Sequence, residues 1–332
     1  MSAVPVRLSV LGAGIIAKSF MEAASAVADL EVATVCDIDE NRARALAEPQ
    51  NSAWETDYQA VLGDESIQAV YIALPHHLHE EATIAAAEAG KHILLEKPMA
   101  NSLEEADRML AAKKRAGIKL MIGFTHRFHS ELETAKRLIA AGELGQLTLA
   151  LDVMTTGGVI PGWFWQKSEA GGGVLHVNGA HSFDRLRWLM DSEIVEVFAY
   201  TDTYDSRKTV EDSAIVAMRF ANGALGTTVH NWVTDSPLPF KCDLDLYGTD
   251  GALRIDTWNA IEFANASHTW VQRRERDDMF QKEIGEFVSA ILEDREPCIT
   301  GEDGRRSLAC VQAAYESARR GEPVRLKDEI GG

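Results

Sequence analysis

Gly12, Gly14 and Ala17 stand in a Gly-x-Gly-x-x-Ala turn between an apolar run, Val6 to Leu11, and an amphipathic stretch opening at Ile15. Each position answers a need of a bound pyrophosphate. The first glycine permits the tight turn, the second lets the backbone approach, and Ala17 allows close helix–strand packing. The helix N-terminus at Ile15 and Ile16 then offers N–H groups and the positive end of its dipole. Such a turn can also be ordinary strand–helix punctuation. Here Asp37 follows a second apolar run about 20 residues on, with Ile38 beside it, where a carboxylate takes hydrogen bonds from the ribose hydroxyls. A carboxylate there repels a 2′-phosphate, which points to NAD as cofactor. Arg42, close by, softens that discrimination and leaves NADP possible.

Two further segments end apolar runs, the place where open α/β sheets hold ligands. Leu74-Pro75-His76-His77-Leu78-His79 follows the third run, and Glu96-Lys97-Pro98 the fourth. Pro98 restricts Lys97 to an extended backbone, which fixes where its ammonium points. The histidines suggest a metal, yet no paired Cys, Asp or Glu stands at ligand spacing, and the adjacent His76 and His77 cannot readily face one ion. We expect no metal, and read His76 and His79 as cofactor or helix-cap contacts with Leu74 and Pro75. In the second half a helix carries His176, Asn178, His181 and Asp184. Asn178 and Asp184 share the face of His181. Asp184 either orients that imidazole or pairs with Arg185 or Arg187. Trp163, in Trp163-Phe164-Trp165, offers a flat apolar wall or core packing. Arg127 reaches the site or pairs with an acidic neighbour. Tyr204, Trp232 and His230 are unranked candidates on strands.

The elements that must position these residues follow two rhythms. Up to Gly123, strand and helix patterns alternate: strands at Val6–Leu11, Leu30–Cys36, Ala69–Leu74, His92–Leu95 and Lys119–Gly123, with helices between them. Ser102-x-x-Glu105 is a capping box, and Gly117 stops its helix. That order implies a parallel sheet with right-handed crossovers. After Gly123 come a helix near Ser130–Ala141, a strand from Leu147, and a helix ending near Met190. Period-2 strands then dominate, and two helices close the chain. The expected fold is an α/β Rossmann domain, residues 1–123, followed by an α+β domain, residues 124–332, with a large, mostly antiparallel open sheet.

Bulk properties narrow the function. A formal net charge of −18 over 332 residues disfavours nucleic acid and anionic membranes as partners. No apolar run approaches the ~18 residues of a membrane span, and no secretory signal pattern opens the chain. Cys36, Cys242, Cys298 and Cys310 lie far apart, which suits buried thiols in a reducing cytoplasm rather than zinc or disulfides.

Taken in order, these motifs resemble the glucose–fructose oxidoreductase / inositol dehydrogenase (Gfo/Idh/MocA-type) family. They are Gly12-x-Gly14, Leu74 to His79, Glu96-Lys97-Pro98, His126-Arg127-Phe128, Gly171-Gly172-Gly173 and His181-Ser182-Phe183-Asp184. Glu211-Asp212, Tyr247 to Gly251 and Ala314 to Ser317 continue the series over nearly the whole chain. The resemblance implies hydride transfer, with Lys97 taking or relaying the proton of a carbinol hydroxyl and His181 as acid/base partner. It also places Glu96 and Lys97 beside the cofactor, and Arg127, Trp163, His176, Asn178 and His181 toward the substrate. Family members usually carry a carboxylate one turn before this histidine. Here that position is Val177.

The expected function is therefore an NAD(P)-dependent dehydrogenase or reductase of a cyclic sugar, glycoside or inositol-like polyol, cytoplasmic and homo-oligomeric (dimer or tetramer) through the C-terminal sheet. Two other readings share the motifs. One is NAD-dependent glycoside cleavage through transient oxidation at the sugar C3; the other is an NAD-binding regulator without turnover.

Overall fold

The computed structural model describes residues 5–157, 162–233, 240–274 and 278–326. The chain divides into two compact units, Met1–Thr125 with Asp278–Arg305, and His126–Asp277 with Arg306–Gly332.

The first unit opens with β1 (Val6–Leu11), α1 (Ile15–Ala24), β2 (Leu30–Cys36), α2 (Glu40–Ala47), β3 (Ala53–Glu55) and α3 (Tyr58–Gly63). It continues with β4 (Ala69–Ile72), α4 (His79–Glu88), β5 (His92–Leu95), α5 (Leu103–Ala116) and β6 (Leu120–Ile122). The six strands run in the order β3-β2-β1-β4-β5-β6, and every pairing is parallel. This is the doubly wound order of dinucleotide-binding sheets, whose ligands lie at the carboxyl ends of the strands. Parallel strands covered on both faces must be apolar throughout. Val6, Leu8, Val10 and Leu11 of β1 are accordingly fully buried, as are Ala69, Val70 and Ile72 of β4. The short β3 has only half-exposed or exposed side chains, so no apolar run announces it. The capping box at α5 is modified. Ser102 accepts from the Glu105 N–H at 3.2 Å, but the Glu105 carboxylate reaches one residue past the cap, to the Asn101 N–H at 2.8 Å.

In the second unit α6 (Ser130–Ala140) leads to β7 (Leu147–Gly157), the single turn α7 (Lys167–Ala170) and the long α8 (Val174–Met190). Then come β8 (Ile194–Asp202), β9 (Ser213–Phe220), β10 (Leu225–Val233), β11 (Lys241–Gly248), β12 (Gly251–Asp256), β13 (Ala260–Asn265) and β14 (Thr269–Arg273). The order β14-β13-β12-β11-β7-β10-β9-β8-β15 gives a nine-stranded sheet, closed by β15 (Val324–Arg325). Only β7 with β10 is parallel among its described pairs. Burial alternates strictly along β9, so one face holds Ala214, Val216, Met218 and Phe220 in the core under α8. The other face stays open, with Tyr200, Ile215 and Leu225 exposed.

Before the end the chain returns to the first unit through α9 (Met279–Leu292), which buries Ile284, Phe287 and Val288. The last helix, α10 (Gly301–Arg320), starts among residues of the first unit and continues among those of the second. Neither unit is therefore one unbroken stretch of sequence.

Candidate active site

In the first unit the expected cofactor residues lie along the carboxyl edge of the sheet, at the ends of adjacent strands β2, β1, β4 and β5. Gly12 has φ +99°, and a Cβ there would stand 2.4 Å from the Ala73 carbonyl oxygen. Only glycine allows the exits of β1 and β4 to approach so closely. Gly14 caps α1 without any side-chain hydrogen bond, and the space where its Cβ would project is open for 4 Å. A helix N-terminus with uncapped N–H groups behind an open cradle fits a pyrophosphate. Ile15 and Ile38 flank it as exposed apolar side chains, 74% and 90% accessible. Asp37 is fixed in place. It accepts from the Ala13 N–H at 2.8 Å through Oδ2, and from the Asp39 N–H and Arg42 through Oδ1 at 2.9 and 2.8 Å.

At the end of β4, Leu74 and Pro75 are half-buried and His77 is exposed. His76 is buried and meets His79 edge-on, 5.5 Å between ring centres. His79 has no exposed surface. Its Nδ1 lies 3.0 Å from the Pro98 carbonyl and its Nε2 2.9 Å from that of Leu74. Two carbonyls would favour an imidazolium, but burial wins and pushes the pKa down to about 4. The neutral ring lies between the β4 exit and the Lys97–Pro98 segment, whose peptide bond is cis, and its single N–H donates to one of the two carbonyls at a time. His79, read from the sequence as a cofactor or helix-cap contact, is turned toward backbone carbonyls.

Glu96 and Lys97 follow β5. Tyr71, stacked on Phe20 with ring centres 4.0 Å apart, donates its hydroxyl to Glu96 Oε1 at 2.6 Å. The Lys97 N–H donates to Glu96 Oε2 at 3.2 Å. Burial pushes the Glu96 carboxyl up, against the pull of Lys97 and Tyr71. The Lys97 ammonium is pushed down by burial, with Glu96 opposing. Both shifts make a proton easier to move off Lys97, as an acid/base group requires. Behind them lies Glu283 of α9, only 1% exposed, whose two oxygens have no hydrogen-bond partner among the described residues. Burial, with Glu96 nearby, pushes its pKa well up.

The second unit's site is built on α8. Glu211 holds its start, accepting from the Gly173 N–H at 3.0 Å and the Leu175 N–H at 2.9 Å. The backbone N–H groups and the Tyr315 hydroxyl, a donor at 2.8 Å, favour the carboxylate, but burial outweighs them and pushes its pKa up. Position 173 must be glycine, because a Cβ would lie 1.8 Å from the Glu211 carbonyl oxygen. All of α8 except Trp188 is buried, including Asn178 and His181 at 9% and 7% exposure. Its polar side chains are therefore paired internally. Arg185 donates to Asp152 at 2.7 Å, and Ser182 and Thr228 both donate to the other Asp152 oxygen at 2.8 Å. Thr228 also meets His230 Nε2 at 2.8 Å, and burial pushes the His230 pKa down to about 4.

Asp184, expected to orient His181 or to pair with Arg185 or Arg187, meets a residue from outside its helix. It takes a two-point ion pair from Arg127, Nε to Oδ2 at 2.8 Å and Nη2 to Oδ1 at 2.5 Å. This is the acidic neighbour that the sequence offered as the alternative to a substrate contact for Arg127. His176 is buried outright, like most of this helix. Trp163 is half-buried and stacked on Phe164, 3.8 Å between centres. Of the unranked aromatic candidates, Trp232 is in the core and Tyr204 is exposed. What occupies the place beside His181 is His126, its ring parallel to within 7° and 3.9 Å away. His126 belongs to a motif visible in the sequence, but nothing there pairs it with a residue some fifty positions on. Among the described residues no cluster of three or more His, Cys, Asp or Glu forms a metal site, and no helix is long and apolar enough to cross a membrane.

With this geometry in hand, comparisons identify the family. Residues 6–124 match the description "Oxidoreductase family, NAD-binding Rossmann fold", and residues 132–254 match the "GFO/IDH/MocA C-terminal domain". The chain is similar to scyllo-inositol 2-dehydrogenase (NAD(+)) of Bacillus subtilis, 30% identical over 82% of each chain. It is 28% identical to 1,5-anhydro-D-fructose reductase of Ensifer adhaerens over 97% of this chain and 98% of that one. A solved aldose-aldose oxidoreductase from Caulobacter crescentus, complexed with glycerol, superposes with TM-score 0.89 at 26% identity, covering 97% of this chain and 100% of that one. The protein belongs to the Gfo/Idh/MocA family of NAD(P)-dependent sugar and inositol oxidoreductases, and carries that family's NAD-binding Rossmann domain.

Proposed function

We propose that the protein interconverts a secondary alcohol and its ketone on a cyclic sugar, glycoside or inositol-like polyol, with NAD as the preferred cofactor. The observation that carries this reading is Lys97. It sits at the carboxyl end of β5, in the same edge as the Gly12–Gly14 turn, with its ammonium made more acidic by burial and with Glu96 held against its backbone. A nicotinamide dinucleotide held at the Gly12–Gly14 turn would supply the hydride acceptor for the carbinol carbon. The protein's own task is then the hydroxyl proton. Lys97 takes or relays that proton and stabilises the charge that develops on oxygen. His181 is the second acid/base group, with Asn178 one turn earlier on its face as a donor or acceptor for a ring hydroxyl.

The Gly14 cradle and the start of α1 would hold the pyrophosphate, and Asp37 would take the ribose hydroxyls. The relatives named for inositol and anhydrosugar chemistry support a polyol-type substrate. The test is a panel of inositols, hexoses, anhydrosugars and glycosides, followed by absorbance of the reduced cofactor with wild type and Lys97→Met. Loss of roughly two or more orders of magnitude in kcat is expected for the variant. Turnover near wild type would remove Lys97 from the mechanism. Aglycone release without accumulation of reduced cofactor would replace oxidation by cleavage.

The open sheet face supports self-association. Tyr200, Ile215, Val229 and Val153 lie across β8, β9, β10 and β7 as one cross-strand row. Tyr200 is 67% and Ile215 52% exposed. An apolar row of this kind favours burial against a second copy. Sedimentation would show a dimer or tetramer, reverting toward monomer in Ile215→Lys.

A further inference from the structure

We propose that His126 is the positioning residue for the His181 imidazole, holding its ring plane in place of the carboxylate that Val177 does not provide. The inference rests on the acid/base role given to His181 above.

Three observations carry it. The two rings lie face to face, 3.9 Å apart and within 7° of parallel, so rotation of His181 out of its plane would drive it into His126. Both residues are buried, at 5% and 7% exposure, so solvent does not substitute for that contact. His126 is itself backed by a rigid support. Arg185 Nη1 lies 3.4 Å from His126 Nδ1, and the same guanidinium is fixed by Asp152 at 2.7 Å and Cys242 at 3.0 Å.

The chemistry of that support matters. A guanidinium donates and never accepts, so His126 Nδ1 faces it as an acceptor and the ring proton sits on Nε2. At 3.4 Å the bond is weak, but the fixed positive charge opposes a proton on Nδ1. His126 therefore presents the face of its ring to His181, and the stack leaves the nitrogens of His181 at the ring's rim. Asp184, the other acidic group on the His181 face, is already held by Arg127. The flat surface that confines the His181 ring thus comes from the 3-10 turn preceding α6.

The experiment compares His126→Phe, which keeps a flat ring, with His126→Leu, which fills similar volume without one. The assay uses NAD and the panel compound turned over fastest by wild type. The leucine variant is expected to lose about tenfold or more in kcat, since small misplacements of a catalytic group have that effect. Its NAD affinity by fluorescence titration stays within about twofold, and the phenylalanine variant recovers most of the rate. Where the leucine variant does not fold, His126→Asn takes its place. Equal kcat for the flat and non-flat variants overturns the proposal while leaving His181 untouched. His181→Ala at the wild-type rate would overturn the reading of His181, and the proposal with it.

Discussion

Arg42 donates to Asp37 across the mouth of the nucleotide turn, Nη2 to Oδ1 at 2.8 Å, while Asp37 Oδ2 accepts from the Ala13 N–H at 2.8 Å. The carboxylate thus does two things at once. It joins the loop after β2 to the Gly-rich turn, and in the proposed cofactor site it would be the group that faces a 2′-phosphate. The neighbouring guanidinium is half-exposed and would be left without this partner if the carboxylate went.

Asp37→Ser should therefore shift cofactor choice. The ratio of kcat/KM for NADP to that for NAD is expected to rise at least about tenfold, some 1.4 kcal/mol. Arg42→Ala added to it should take that gain away, because the cation would no longer be there for the phosphate. Initial rates with both cofactors decide it, and an unchanged ratio would mean that the preference is set elsewhere.

The Gly-x-Gly turn, the alternating strands of the first unit and the helix carrying His181 were legible in the sequence because each is a local pattern. Turn chemistry, 2-residue and 3.6-residue periods all act over a few neighbours. The partners of the side chains were not legible. Asp184 sits among Arg185 and Arg187 on its own helix, yet it is bound by Arg127 from another element, since helix neighbours compete with whatever the fold brings opposite. His79 looked like a ligand contact because it ends a strand at the site's edge. It turns inward because its two nitrogens find the Pro98 and Leu74 carbonyls. The sequence showed that two helices close the chain, but not that the first of them, α9, returns to the first unit.

The Arg127–Asp184 pair leads to a separable prediction. Both side chains are nearly or fully buried, 10% and 1% exposed. Removing one charge from such a pair leaves the other stranded, at a cost of about 3–5 kcal/mol. Asp184→Asn is expected to lower the melting temperature markedly while the folded fraction keeps kcat within a few fold. Thermal melting and active-site-normalised rates measure the two effects. Collapse of kcat at unchanged melting temperature would instead return Asp184 to the role of orienting His181.

Glu283 gives the pH dependence of the first unit. Its carboxyl is buried on α9 without a hydrogen-bond partner among the described residues, and burial together with Glu96 raises its pKa well above the ordinary carboxylate value. In the folded protein it holds its proton to higher pH than in the unfolded chain. Between the two pKa values the native state binds more protons, so stability falls as pH rises, by at most about 1.4 kcal/mol per pH unit. The contribution is complete below the unfolded carboxylate pKa and disappears on passing upward through the folded one. Glu283→Gln keeps the shape and removes the titration. Its melting temperature relative to wild type is therefore expected to improve steadily from pH 5 to pH 8. Parallel curves over that range would show that Glu283 carries the same charge folded and unfolded, and that Glu96 shares its pocket with a second anion.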